Sequence, residues 1–365
     1  MRIGINGRLF YQFPMEGIAR YTYHHTYEMA LAHPYDSFYV YLDRKSKHQL
    51  DFPKNVKIIL IPFPTRHPKL IEVYFNYILP LFFRLHRIDV FYSGDYYLSL
   101  YTKIPQIMVI HDLAYIHYPQ HLPRHILDYY KKAMPKWIRK AAAIITVSNY
   151  VKADVSKQFN VSIDAVSGNA VSTENITTTQ VNLPSARPFF VYIGSIHPRK
   201  NIENMVNGFL QFNAQHRSDY QLIIAGRIAW KSNTLYQIFD KEKSVHYIGE
   251  VTEEEKWDLL IRSKAVVYLS LFEGFGIPIL EAFAAKTLVI TSNTTSMPEV
   301  GQTAALYADP QSVEEIALAF NQAATLHNRT QRILAGTHRL DDFTWQNEAA
   351  KTYKVIQDVF QKQSH

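Results

Sequence analysis

Ala265-Val-Val-Tyr-Leu-Ser-Leu271 runs directly into Phe272-Glu-Gly-Phe-Gly-Ile-Pro-Ile-Leu-Glu281. The first run is short, apolar and partly β-branched, which suits a buried strand. The second carries Gly274 and Gly276, where the backbone can turn sharply, and then Pro278, which suits the first turn of a helix. A strand feeding a helix through a glycine turn is the repeating unit of a parallel sheet covered by helices. Working outward, the same alternation recurs at Phe189–Gly194, Gln221–Gly226, Val245–Ile248, Thr287–Thr291 and Ala305–Ala308. It recurs again at Arg2–Asn6, Phe38–Leu42, Val56–Ile61, Asp89–Tyr92, Gln106–His111 and Ala143–Ser148. Between the two sets lies Ser172 to Pro188, polar, rich in Thr and closed by prolines, which reads as a linker. The fold class is therefore α/β, with a doubly wound N-terminal domain over 1–171, a linker over 172–188 and a second doubly wound domain over 189–345. Each half places its ligand crevice at the carboxyl ends of its strands. Ala349, Tyr353, Ile356 and Phe360 form a helical stripe, so residues 346–365 are expected to be a final helix, able to return to the N-terminal domain.

With 365 residues, 47% of them hydrophobic and 19% charged, the chain is a folded protein too large for one ordinary core. It has no Cys, which excludes disulfide scaffolds, thiolate metal sites and cysteine nucleophiles. MRIGINGRLFYQ opens in a strand-like run without a basic segment and apolar stretch, and no run approaches the length of a membrane span. A cytoplasmic location is expected, with peripheral contact at the inner face of a membrane. That contact is suggested by charge: residues 1–185 hold 21 Lys/Arg against 13 Asp/Glu, although the whole chain is only +7. Arg124, Lys131, Lys132, Lys136, Arg139 and Lys140 interleave with Tyr129, Tyr130, Met134 and Trp137. Such a segment fits an anionic lipid surface, a phosphate-bearing acceptor, or a solvated helix face packed through its aromatic side. Nucleic acid is disfavoured, because no recognition motif accompanies the charge.

The densest chemistry follows Leu271. Amides around Gly276 and Ile277, at a helix start, suit a phosphate. Glu273 and Glu281 flank that point as acceptors for sugar and ribose hydroxyls. On their own, Glu281 also fits a carboxylate serving the helix dipole and Glu273 a loop cap. A second cluster, Gly194-Ser-Ile-His-Pro-Arg-Lys-Asn201, occupies the first strand-to-helix turn of the same half. Arg199 and Lys200 there can neutralise a diphosphate.

These motifs, taken in order, resemble the family 4 glycosyltransferases. Glu273 and Glu281 match the family's E-x7-E, Pro198-Arg-Lys-Asn201 its P-R-K-N turn, His111-Asp-Leu113 its HD motif and Gly17-Ile-Ala-Arg-Tyr-Thr22 its early glycine loop. Val147-Ser-Asn149, Ala225-Gly226, Gly249-Glu-Val251 and Ser296-Met-Pro-Glu-Val-Gly301 also fall in family order. The resemblance implies the GT-B fold, two Rossmann-like doubly wound domains facing across a cleft, and sugar transfer with retention. It implies a mannosyltransferase-like branch of bacterial surface polysaccharide synthesis. By this likeness Glu273 holds the donor sugar's hydroxyls, Glu281 the ribose, and Lys200 with Arg199 the leaving diphosphate. Gly274, Phe275, Gly276 and Ile277 supply backbone behind the diphosphate, with Gly194 in the facing turn. Gly17 brings an amide from the other domain, Gly249 and Val251 meet the base, and His111 lies under the donor sugar. The donor is a nucleotide diphosphate sugar, with GDP-mannose expected, and the acceptor a glycan or lipid-linked saccharide. No cofactor or metal is expected. Two departures stand out: Ser195 where many relatives have Arg, with Arg227 a substitute, and Ser167-Gly-Asn-Ala170 in place of a P-N-G turn.

Other readings are weaker. His117, His121 and His125 recur every four residues, but Pro119 and Pro123 break any helix that would align them as metal ligands. Gly4-Ile-Asn-Gly7 lacks the third glycine of a dinucleotide fingerprint, which disfavours an oxidoreductase. A glycan phosphorylase, a donor-sugar hydrolase and a non-catalytic sugar-nucleotide-binding or assembly subunit remain open on the same scaffold.

Overall fold

The apolar runs become parallel strands because helices cover both faces of each sheet, so no polar alternation is needed. The computed structural model describes residues 1–11, 15–173, 176–184, 186–230, 239 and 241–362. The chain divides into two units, Met1–Asn169 with Trp345–His365, and Ala170–Thr344.

In the first unit the strands are β1 (Arg2–Asn6), β2 (Ser37–Leu42), β3 (Val56–Leu60), β4 (Val90–Ser93), β5 (Gln106–Ile110), β6 (Ala143–Thr146) and β7 (Ala165–Val166). Their order is β3-β2-β1-β4-β5-β6-β7, so the winding reverses between β1 and β4. Ile3, Ile5, Val40, Phe91, Ile107, Val109 and Ile145 are fully buried in this sheet. The edge strand β3 turns Lys57 to solvent, which discourages edge pairing. Several strands stop one or two residues before the apolar run does, leaving His111 and Val147-Ser148 in the loops beyond.

Helix Pro68–Val73 continues through a widened turn, Tyr74–Ile78, into Leu79–His86. At that turn the Leu79 N–H reaches back five residues to the Tyr74 carbonyl. Pro80, which has no N–H and would clash with the preceding turn, is accommodated by the widening. Helix Gly17–Ala32 packs against helix Trp345–Gln361, the element expected at 346–365, of which residues 363–365 lie outside the described residues.

The second unit contains β8 (Phe189–Ile193), β9 (Gln221–Ala225), β10 (Val245–Tyr247), β11 (Ala265–Tyr268), β12 (Leu288–Ser292) and β13 (Leu306–Ala308). The order β10-β9-β8-β11-β12-β13 reverses between β8 and β11. Phe190 meets Phe320 at 4.8 Å and Phe212 at 6.0 Å between ring centroids, forming an aromatic core under the sheet. Helix Ile202–His216 approaches helix Val313–Thr325 closely: a Cβ on Gly208 would lie 2.3 Å from Ile316 Cγ2. Residues 172–188, expected as a linker, are held against helix Glu253–Arg262; residues 174–175 and 185 of it lie outside the described residues. The Val181 N–H donates to Asp258 Oδ2 at 2.9 Å, and Arg262 Nη1 donates to the Val181 carbonyl at 3.2 Å.

Candidate functional site

Both motifs of the second unit leave the carboxyl ends of β8 and β11, at the point where the strand order reverses. After β8 the chain turns through Pro198–Lys200. Asn201 fixes that turn, with φ 59° and its amide donating to the Leu269 and Pro310 carbonyls at 3.1 and 2.6 Å. Lys200 and Arg199 are thereby aimed at the loop after β11. Lys200 Nζ donates to Glu273 Oε1 at 2.6 Å and to the Tyr268 hydroxyl at 2.9 Å. Arg199 Nη1 lies 2.9 Å from Glu273 Oε2 and donates to the Phe272 carbonyl at 2.6 Å. From behind, Ser296 Oγ sits 2.9 Å from the carbonyls of both Glu273 and Phe275 and pins the loop. Burial alone would raise the Glu273 pKa, but Lys200 and then Arg199 outweigh it and hold it at about 2. Two cations and one carboxylate make a cluster of net charge +1, poorly screened because Glu273 is only 8% exposed.

Gly276, at φ 108°, caps helix Ile277–Ala284, and Pro278 sits in the first turn, where N–H groups have no intrahelical acceptor. One turn inside, Glu281 pairs with Lys256 Nζ at 2.8 Å, and Lys256 also pairs with Glu253 at 2.5 Å. Gly194, Gly226 and Gly249 end the adjacent strands β8, β9 and β10. A Cβ on Gly226 would fall 2.0 Å from the Gly194 carbonyl oxygen, so only glycine permits this approach. Gly249 adopts φ 82° and accepts from the Gly226 N–H at 2.7 Å; half-buried Val251 follows, before Thr252 caps the next helix. Arg227 is exposed beside this turn, its carbonyl accepting from the Ile196 N–H at 2.8 Å.

In the first unit His111 stands at the end of β5, nearly buried, with Nε2 2.7 Å from the Gly94 carbonyl. A carbonyl only accepts, so Nε2 carries the proton. Burial lowers the His111 pKa, which favours the neutral ring with its lone pair on Nδ1. The Tyr21 ring meets His111 edge-on at 5.0 Å and stacks on His25 at 3.9 Å. His25 Nδ1 is 3.0 Å from Thr352 Oγ1, and the Gly168 N–H donates to Glu348 Oε2 at 2.6 Å. The turn that departs from the P-N-G pattern is thus held by helix Trp345–Gln361. Gly17 opens helix Gly17–Ala32, and a Cβ there would meet nothing within 4 Å, so packing does not require glycine. Where the first sheet reverses, Asn6 Nδ2 donates to Ser93 Oγ at 3.0 Å and Asp95 Oδ1 at 2.8 Å, while Arg8 pairs with Asp95 at 3.2 Å. His117 pairs with Asp154 at 2.8 Å, and the helical turns holding His117, His121 and His125 are separate.

Residues 15–173 match the family described as Glycosyltransferase Family 4, and residues 174–335 match Glycosyl transferases group 1. The chain is a family 4 glycosyltransferase. This glycosyltransferase is 27% identical over 375 residues to the O-antigen chain mannosyltransferase B of Escherichia coli, covering 94% of this chain and 97% of that protein. In fold it is similar to sucrose-phosphate synthase from Thermosynechococcus elongatus, with TM-score 0.81 and 16% identity over 99% of each chain. It is also similar to Anabaena HepE in complex with UDP-glucose, with TM-score 0.69 and 16% identity over 97% and 100% of the two chains. Its two Rossmann-like domains are those of the GT-B fold.

In the second domain of the glycosyltransferase, Glu273, Lys200 and Arg199 form one cluster, Gly274 to Ile277 continue the same loop, and Glu281, one helical turn further on, pairs with Lys256. His111 and Gly17 belong to the first domain. Sequence reasoning did not single out Lys256, Tyr268, Arg8 or Asp95. Lys256 had a visible signal: it lies four residues before Leu260, on the buried face of its helix.

Proposed function

We propose that this enzyme transfers a hexose, with mannose the first candidate, from a nucleotide diphosphate sugar to a hydroxyl of a glycan or lipid-linked saccharide. Configuration is retained and no metal takes part. The observation that carries the reading is the Lys200–Arg199–Glu273 cluster at the ends of β8 and β11, where a doubly wound sheet receives a nucleotide. As the bond from the sugar to the diphosphate breaks, negative charge grows on the leaving oxygen. Two fixed, poorly screened cations stabilise that charge in the transition state. Glu273, ionised down to about pH 2, accepts from sugar hydroxyls, and Glu281 accepts from the ribose. Gly249 and Val251 meet the base through backbone groups, and Gly274 to Ile277 turn theirs toward the phosphates. The departing phosphate takes the proton of the acceptor hydroxyl, so no enzyme nucleophile is required. In the first domain, neutral His111 offers Nδ1 to a sugar hydroxyl.

The named activity of the Escherichia coli relative supports mannose as the sugar, and HepE with UDP-glucose supports a nucleotide sugar as donor; GDP-mannose is the donor we propose. No described helix is long and apolar enough to cross a membrane. We place the enzyme at the inner face of a membrane, in peripheral contact with it.

The test is a thermal-shift screen in EDTA against GDP, UDP, ADP and their sugars, followed by transfer assays and NMR of the product's anomeric proton. One nucleotide family is expected to stabilise the protein selectively. Lys200→Ala and Glu273→Ala are each expected to lower kcat/KM by about 100-fold or more. Unchanged transfer in both variants, or an inverted anomeric configuration, overturns the reading. Activity lost in EDTA and restored by a divalent cation overturns its metal-free part.

A further inference from the structure

Lys256 follows three glutamates, Glu253, Glu254 and Glu255, at the start of helix Glu253–Arg262, yet it is only 8% exposed. A lysine is seldom buried unless it is paired. Its Nζ lies between two carboxylates, 2.8 Å from Glu281 Oε1 and 2.5 Å from Glu253 Oε1. Those partners differ in their surroundings. The Glu253 side chain is half exposed and that of Glu281 largely buried, so water screens the pair with Glu281 far less.

The helix that carries Lys256 is fixed at both ends. Directly after the Gly249–Val251 turn, the Thr252 N–H donates to Glu255 Oε2 at 2.8 Å and the Glu255 N–H to Thr252 Oγ1 at 3.2 Å. Further along, the Leu260 carbonyl accepts from Thr287 Oγ1 at 2.8 Å, and Thr287 lies just beyond helix Ile277–Ala284, which carries Glu281. Trp257, Leu259 and Leu260 are buried between these points, and Lys256 Nζ stands 5.0 Å from the Trp257 ring centroid. Lys256 therefore ties the helix behind the Gly249–Val251 turn to the helix of Glu281, and a short charge-assisted bond sets where the carboxylate sits.

The 2′- and 3′-hydroxyls of a ribose are neighbouring O–H donors. An ionised carboxylate only accepts, through about four lone-pair sites, so one bond from Lys256 to Oε1 does not exhaust it. It receives a pair of hydroxyls only if its plane is held in place. Without Lys256, Glu281 and Glu253 would confront each other with no cation between them, and like-charge repulsion would drive their carboxylates apart.

We infer that Lys256 is a positioning residue that sets the Glu281 carboxylate for the ribose diol, so that the donor site selects ribonucleotides over 2′-deoxyribonucleotides. Lys256 acts through Glu281 and not by contact with the substrate. The inference rests on the proposed ribose role of Glu281 and names the residue that enforces it.

Isothermal titration of the full chain with GDP, 2′-deoxy-GDP, UDP and 2′-deoxy-UDP tests it, on the wild type, Lys256→Met, Lys256→Arg and Glu281→Gln. A site built to bond a hydroxyl rejects the analogue that lacks it, so the wild type is expected to bind one ribonucleotide about tenfold or more tightly than its deoxy form. Lys256→Met is expected to weaken the ribonucleotide about tenfold and the deoxy form by less than about threefold, which removes the preference. Lys256→Arg keeps a cation beside Glu281 and is expected to hold the preference within about threefold of wild type. Lys256→Gln, also neutral, takes the place of the methionine variant should that one not fold. A wild-type preference in Lys256→Met, alongside its loss in Glu281→Gln, overturns the inference and leaves the donor reading standing. Equal weakening of ribo and deoxy forms in Lys256→Met makes the ion pair a structural tie between two helices and also overturns it. No ribose preference in the wild type removes the proposed role of Glu281, and the inference with it. If none of the four nucleotides binds the wild type, the donor reading itself has failed.

Discussion

Glu273 is a carboxylate that nearly complete burial would neutralise, yet two cations keep it charged. Its folded pKa of about 2 lies below the ordinary 4.5. A depressed carboxylate contributes stability that is present above its unfolded value and lost as pH falls through the folded one. The window is therefore from about 4.5 down to about 2. The full contribution is on the order of 3 kcal/mol, at 1.4 kcal/mol per pH unit. Urea unfolding of the wild type should weaken across that window, and Glu273→Gln should show a flatter dependence; equal slopes would contradict the assignment. At this scale the sequence was informative wherever a residue type had a chemical duty at a fixed spacing. Glu273, Lys200 and Arg199 could be named because charge next to a glycine turn at a strand end has few uses. Lys256 escaped notice because its partner, Glu281, is 25 residues away and only the packing of two helices joins them. The tautomer of His111 depends on a carbonyl 17 residues earlier, which no local pattern reveals.

Elements were legible where packing is two-sided. Strands covered on both faces read as unbroken apolar runs, and twelve of the strands observed overlap such runs. β7 has only two residues, too few to show any period. Helix Pro68–His86 was obscured for the opposite reason, since it is apolar on its exposed side as well and carries Pro80 in its interior. Gly208 illustrates how one atom fixes the distance between two elements. Alanine has the better helix propensity by about 1 kcal/mol. Here, however, its Cβ would lie 2.7 Å from Ile316 Cβ and 3.2 Å from the Val313 carbonyl, neither of which is a flexible chain end. Overpacking of this kind costs about 1–3 kcal/mol and often more than propensity returns. Gly208→Ala should therefore lower Tm by several degrees, and a calorimetric scan showing a higher Tm would refute the close-packing argument.

For the whole molecule, two doubly wound halves were readable because the strand–helix alternation stops and restarts around residues 172–188. The adhesion of that segment to helix Glu253–Arg262 was not, because Val181 and Asp258 meet only in the folded second domain. The stripe Ala349–Phe360 identified a helix but not the polar half of its contact, where Glu348 and Thr352 are 1 and 0% exposed. Ending the chain after Thr344 would uncover His25 and leave the Gly168 N–H without its carboxylate. We expect such a truncation to make the first domain susceptible to limited proteolysis while the second keeps its nucleotide-dependent thermal shift. Equal protease resistance of the first domain with and without the helix would show that it completes its own fold. The placement of this helix also sets an order of events during synthesis. Residues 1–169 leave the ribosome first, but Trp345–Gln361 follows only after the entire second domain. The nascent first domain must therefore wait, with the groove beside Tyr21 and His25 open, for the length of time that the ribosome takes to add residues 170–344. Chaperone engagement on the growing chain should concentrate in that interval.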